Sequence, residues 1–284
     1  MNSSVGAWKK LERIRRNPRV AIAFHTREHG SSGRPEYVLV QGEASLTPAS
    51  DQTWLRTNRE HWERFYGSTS EFGPFWGWWL RIYHWRVGIE IAVERVIVWP
   101  DLTCRGTPEV HGAPLPADGP ELTPPAPQRR PARGTEPRID HVRAAAGARR
   151  LPDVLLGWMG AEGFPVVAPI RVAGTAERGI VLDVPERLVP PGGRRAGLTA
   201  HWFGPRNFGQ QQRIHTGWLE TEPGEPGEPG AIYAPHTEVG HRIPRSKLLY
   251  RLAVGLGTRL WLRQARRAGA LPGEGIAEHS GRVP

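Results

Sequence analysis

Between Val87 and Val93, apolar residues alternate with Gly88, Glu90, Ala92 and Glu94. This period of two predicts a half-buried strand that runs on to Trp99-Pro100. Val20, Ile22 and Phe24 show the same alternation more briefly, and residues 36–46 read as the returning strand of a hairpin after a polar turn over 27–35. Ahead of them the period changes. Trp8, Leu11 and Ile14 fall at helical spacing, with Lys9, Arg13 and Arg16 on other faces, and Asn17-Pro18 ends the helix because proline drives the preceding residue out of the helical region. Ser50 is placed to cap a further helix bearing Trp54, Asn58, Trp62 and Phe65 or Tyr66. An aromatic cluster over 72–79 follows, read as core or subunit-interface packing.

From Cys104 to Pro137 nine prolines break both periods, which predicts an extended, semi-rigid linker with no room for helix or ladder. Beyond it, 151–159, 166–172, 179–184, 194–201 and 212–220 read as strands, separated by turns at 160–165 and 190–193. The Glu-Pro-Gly triplets over 222–230 read as a solvated loop. Ser246 then starts a last helix with an apolar row at Leu248, Leu252, Leu256 and Leu260 and basic faces at Arg251, Arg259, Arg263, Arg266 and Arg267. A helix docked by its leucines with solvated arginines is the leading reading, and binding to a membrane surface is the alternative.

Two segments resemble each other. Arg19 to His25 and Arg195 to His201 share arginine, small residues and histidine at equal offsets; Gly42 lies 23 residues after Arg19, and Gly217 lies 22 after Arg195. A duplicated β unit follows from this, and with it a pseudo-two-fold interface inside the chain. The copies are unequal at their starts. Only 18 residues precede Arg19, whereas 41 separate Val154 from Arg195, so about three strands lack a counterpart in the first copy. On that reading the true start lies upstream of Met1, and Val20, Phe24 and Val40 stand at an uncovered edge.

Charge and chemistry refine the picture. The net charge is +10, but the arginines are spread along the chain without a basic block, which argues against a nucleic-acid partner. Of the 38 Lys and Arg, only Lys9, Lys10 and Lys247 are lysine. Two adjacent lysines at a helix start, with Ser3 and Ser4 just before them, form a candidate anion site, and a phosphate is the obvious ligand. A single cysteine, no signal peptide and no spanning apolar run predict a cytoplasmic protein without a disulfide framework. No nucleophile elbow, zinc-binding His-Glu-x-x-His, Walker loop or dinucleotide fingerprint is present, and His25 and His201 read as strand residues at a barrel edge. Such a chain fits a protein whose cofactor carries the chemistry.

The residues from Lys9 to Ala21, followed by Tyr37-Val38-Leu39-Val40-Gln41-Gly42-Glu43-Ala44, resemble the pyridoxamine 5'-phosphate oxidase-like, FMN-binding split β-barrel family; residues 160–165 and 194–198 are similar to it less closely. The resemblance implies an α+β fold that is mainly β: two antiparallel split-barrel domains arranged as a pseudo-dimer, the first incomplete at its N-terminus. Their bounds are 1–103 and 138–268, with a linker over 104–137 and a tail over 269–284. It implies a flavin-dependent oxidoreductase acting on an unidentified small molecule. Ser3, Ser4, Lys9 and Lys10 hold the FMN phosphate, and Arg194 and Arg195 stand at the corresponding place in the second copy. Deazaflavin is the second choice of cofactor. A cofactor-free binding module, or one that binds haem or uses its basic surface, is the competing class; a homodimer is compatible with either.

Overall fold

The computed structural model describes residues 2–4, 7–25, 35–47, 53, 57–58, 60–61, 73–80, 86–115, 128–160, 162–185, 188–204, 209–221 and 230–267. The helix expected after Ser50 and the triplet loop fall largely outside them. The described chain is mostly β, with four helices and two antiparallel sheets. In order the elements are β1 (Asn2–Ser4), α1 (Trp8–Arg16), β2 (Arg19–Phe24), β3 (Tyr37–Leu46), α2 (Gly73–Leu80), β4 (Arg86–Trp99) and β5 (Glu109–Gly112). Then come α3 (His141–Arg149), β6 (Asp153–Met159), β7 (Pro165–Pro169), β8 (Arg171–Ala176), β9 (Gly179–Asp183), β10 (Gly192–Trp202), β11 (Gln211–Thr221), β12 (Ala231–Arg242) and α4 (Lys247–Arg267).

The first sheet runs β1-β4-β3-β2, with β5 also on β4; the second runs β7-β6-β10-β11-β12-β9-β8. Within them, β2-β3-β4 and β10-β11-β12 are built alike. The register of β3 on β4 slips between Gln41 and Gly42, leaving Glu94 as the extra residue, and that of β11 on β12 slips between Thr216 and Gly217, leaving His236. Each bulge sits beside a glycine for the same reason. A Cβ on Gly42 would lie 3.0 Å from the Ala92 carbonyl carbon and one on Gly217 3.0 Å from that of Ala234, colliding in both cases with the carbonyl oxygen. Val20 pairs with Gly42 and Ala196 with Gly217, so the offsets seen in the sequence are offsets in register as well.

The surroundings differ. β1 and β9 both flank the last strand of their unit, but β6, β7 and β8 have no counterpart among the described residues of the first sheet. Where β10 has β6 along its outer edge, β2 instead lies against β7. Phe24 at this edge is 57 % exposed.

One apolar cluster draws on both sheets: Tyr37, Leu39, Ile97, Trp99 and Cys104 from the first region meet Leu156, Val166, Ile180, Leu198 and Tyr233 from the second. α3 closes it with Ala144, Ala145 and Ala148, and Asp140 caps that helix by accepting from the Arg143 N–H at 2.9 Å. The proline-rich segment departs from the expectation of no ladder. Its stretch between Pro108 and Pro114 is free of proline, and there β5 pairs with β4.

Candidate functional site

α1 begins in an unusual way for so short a helix. Ala7 is its N-cap residue, no side chain caps it, and its first turn holds no acidic residue. The free N–H groups of a helix start favour an anion, and the described residues supply none here. Lys9 and Lys10 occupy that first turn, where the Cα–Cβ bonds tilt toward the N-terminus and carry the side chains to the same end. Among the described residues neither lysine has a carboxylate partner; Lys9 Nζ lies 5.6 Å from the Trp8 ring centroid. The Lys10 side chain reaches the surface, yet partial desolvation of its ammonium lowers its pKa, a cost that a bound anion would offset. Leu11 anchors the helix in the core, and hydrogen bonds from Lys10 and Leu11 N–H to the Ala7 carbonyl close the first turn.

Ser3 pairs with Val87 in β1 and is 6 % exposed, so the sheet rather than solvent surrounds it; Ser4 pairs with Arg86. Both lie on the strand that enters the helix. The second sheet is arranged otherwise. Arg194 is buried and its Nη2 donates to the carbonyls of Pro190, Pro191 and Gly192, binding its own turn, while Nε and Nη1 have no partner among the described residues. Burial lowers its pKa. The backbone N–H of the exposed Arg195 donates to Gln128 Oε1 at 2.9 Å. The Arg194 guanidinium is thus held by its own turn.

Between the sheets lies a contact that the separate motifs did not reveal. His25, one residue past β2, and His201 of β10 meet edge to face at 4.9 Å between centroids, and His201 stacks on Phe203. Asp153 of β6 pairs with His201 in register and stands 4.0 Å from His25 Nδ1. Burial, then the neighbouring His201, pushes the His25 pKa down to about 4; burial also lowers that of His201, against the opposing pull of Asp153. Equal offset from Arg19 and Arg195 was the only signal in the sequence that these two histidines could meet.

A second set of polar contacts fastens the sheets. Tyr37 Oη donates to the Val167 carbonyl at 2.5 Å and Gln41 Nε2 to that of Pro165 at 2.8 Å, so β3 side chains take up alternate carbonyls of β7. Arg19 Nη1 donates to the Glu162 carbonyl at 2.6 Å, the buried Arg95 pairs with the Glu162 carboxylate, and both guanidiniums lie over the Phe164 ring. Gly163 makes this turn possible with φ of +78°, and a Cβ there would strike Arg19 Nη1. Cys104 is buried, with its thiol pushed up to about 12 by burial and by Asp101, which keeps it out of nucleophilic chemistry. No family model, curated protein or solved structure matches this chain, so its chemistry is read from its own residues.

Proposed function

We propose that the chain is a flavin-binding protein of the pyridoxamine 5'-phosphate oxidase-like class, a tandem split barrel acting as an oxidoreductase with FMN ahead of a deazaflavin. The uncapped first turn of α1, with two lysines that have no carboxylate partner among the described residues, carries this reading. Its donor set fits a phosphate: free N–H groups, two ammonium groups and no acidic residue in the first turn. Lys9 and Lys10 neutralise the phosphate charge there, and Ser3 and Ser4 belong to the strand that sets the helix start in place. The matched glycine bulges of Gly42 and Gly217 support a duplicated barrel unit, and the His25–His201 contact supports a pseudo-two-fold relation between the copies. When bound, a flavin supplies hydride or single-electron transfer, so the protein's own groups need only bind, orient and exclude water. Arg194, turned onto its own carbonyls, leaves one cofactor site per chain.

The test is titration of the full chain with FMN, followed by flavin fluorescence and visible absorbance. Saturable binding near one FMN per chain supports the reading, as does a yellow preparation that releases FMN on denaturation. Colourless protein that takes up neither FMN nor deazaflavin assigns the chain to the cofactor-free class.

A further inference from the structure

The last helix reverses the expectation drawn from its leucines. α4 packs on α2 through the other side: Gly255, Thr258 and Leu262 are buried, the Trp79 indole rests on Gly255 and donates to the Arg251 carbonyl at 3.0 Å, and Arg259 lies 4.1 Å from the Trp79 ring and donates to the Trp79 carbonyl. Leu248, Leu249, Leu252, Leu256 and Leu260 are left between 38 and 55 % exposed, with Trp261 exposed beside them. α2 adds exposed Phe75 and Trp78, the latter joined to α4 through Arg259.

We propose that this two-helix unit lies flat on an anionic lipid bilayer, with the leucine row in the acyl boundary and the basic side chains at the headgroups. Charge selects this occupant. α4 carries Lys247, Arg251, Arg259, Arg263, Arg266 and Arg267 and not one Asp or Glu across its length, and α2 carries no charge at all. A second copy of the chain would bring the same six cations against these six. An anionic bilayer offers the opposite charge over a wide area, an apolar layer for the leucines, and an interfacial zone in which tryptophan rings and long basic side chains settle. Crossing the bilayer is a different matter, because no helix among the described residues is long and apolar enough to do so.

The experiment is flotation of the full chain with vesicles of phosphatidylcholine alone or with about a third phosphatidylglycerol, at low and high salt. Binding is expected to rise roughly tenfold or more with the anionic lipid and to fall as salt screens the surface. The double variant Leu252→Glu/Leu256→Glu alters exposed positions only, keeps the circular dichroism spectrum and loses vesicle binding at least tenfold. Arg263→Glu/Arg266→Glu/Arg267→Glu loses the salt-sensitive part. Absence of binding to anionic vesicles overturns the proposal, as does equal binding to neutral ones. So does a concentration-dependent dimer that Leu256→Glu dissolves in the absence of lipid, which would give the row to a second copy.

Discussion

The β2-β3-β4 and β10-β11-β12 units share a bulge, a glycine and a register, yet stand in different company. The second has β6 and β7 beyond β10, β9 and β8 beyond β12, and a capped helix, α3, packed into its core. The first has short β1 and β5 and leans on the second through side chains: Tyr37 and Gln41 on β7 carbonyls, and Arg19 and Arg95 on the 162–164 turn. The same local geometry is thus flanked by paired strands in one place and held by cross-sheet side chains in the other. Backbone pairing defines each unit, whereas neighbouring strands decide whether it persists alone.

The strongest way to break the comparison is at the matched glycines. A methyl group at either position meets a backbone carbonyl of the paired strand rather than a flexible side chain, so Gly42→Ala and Gly217→Ala should each cost about 3 kcal/mol. The outcomes diverge in hydrogen exchange. Gly217→Ala lowers protection in both sheets, because the second supports the first; Gly42→Ala opens β2 to β5 and leaves β6, β10 and β11 protected.

Acid comes next. The pKa of His25 is depressed in the folded chain to about 4 from an ordinary 6.5, so between these values the unfolded chain binds more protons and stability falls as pH drops. The loss, on the order of 3 kcal/mol at most, is present in full below pH 4 and absent above about 7. Denaturant midpoints measured across this range should fall with acid in wild type and stay flatter in His25→Phe, so that the variant gains on wild type by up to about 3 kcal/mol between pH 7 and pH 4. A parallel pH dependence in the two proteins would show that His25 is not the group responsible.

Tyr37→Phe removes one hydrogen bond and little volume, and leaves the Val167 carbonyl to find another donor; about 1 kcal/mol is expected. Thermal melts should show it, with the extra exchange confined to β2 to β5. Equal loosening of β10 to β12 would contradict the dependence of the first unit on the second.

Much of this was legible because it is periodic. The alternation from Val87 to Val93 marks β4, Asn17-Pro18 ends α1 where the structure ends it, and the Arg-to-His spacing anticipates the repeated register. Other elements were hidden by composition. α3 is built on alanines, which carry weak hydrophobic contrast, and its Asp140 cap became evident only with the fold. β5 sits in a gap between prolines too short to show a period. The leucine row of α4 obeys helical spacing, but spacing fixes which residues share a face and not which face is covered; glycine and threonine proved the better packing surface because Trp79 needs the room. At the candidate site the lysines were visible, while the missing cap at Ala7 and the inward turn of Arg194 emerge only in the folded chain.

The lysine-bearing start of α1 allows the most direct test of the proposed function. The chain should bind FMN far more tightly than riboflavin, which lacks the phosphate. The Lys9→Ala/Lys10→Ala variant should lose about a hundredfold or more in FMN affinity, since each charge-assisted contact to phosphate is worth about 1.5–3 kcal/mol. Its riboflavin affinity and melting temperature should not change, and Arg195→Ala should alter neither ligand. Equal affinity for FMN and riboflavin, or an undiminished FMN affinity in the double variant, would contradict the account.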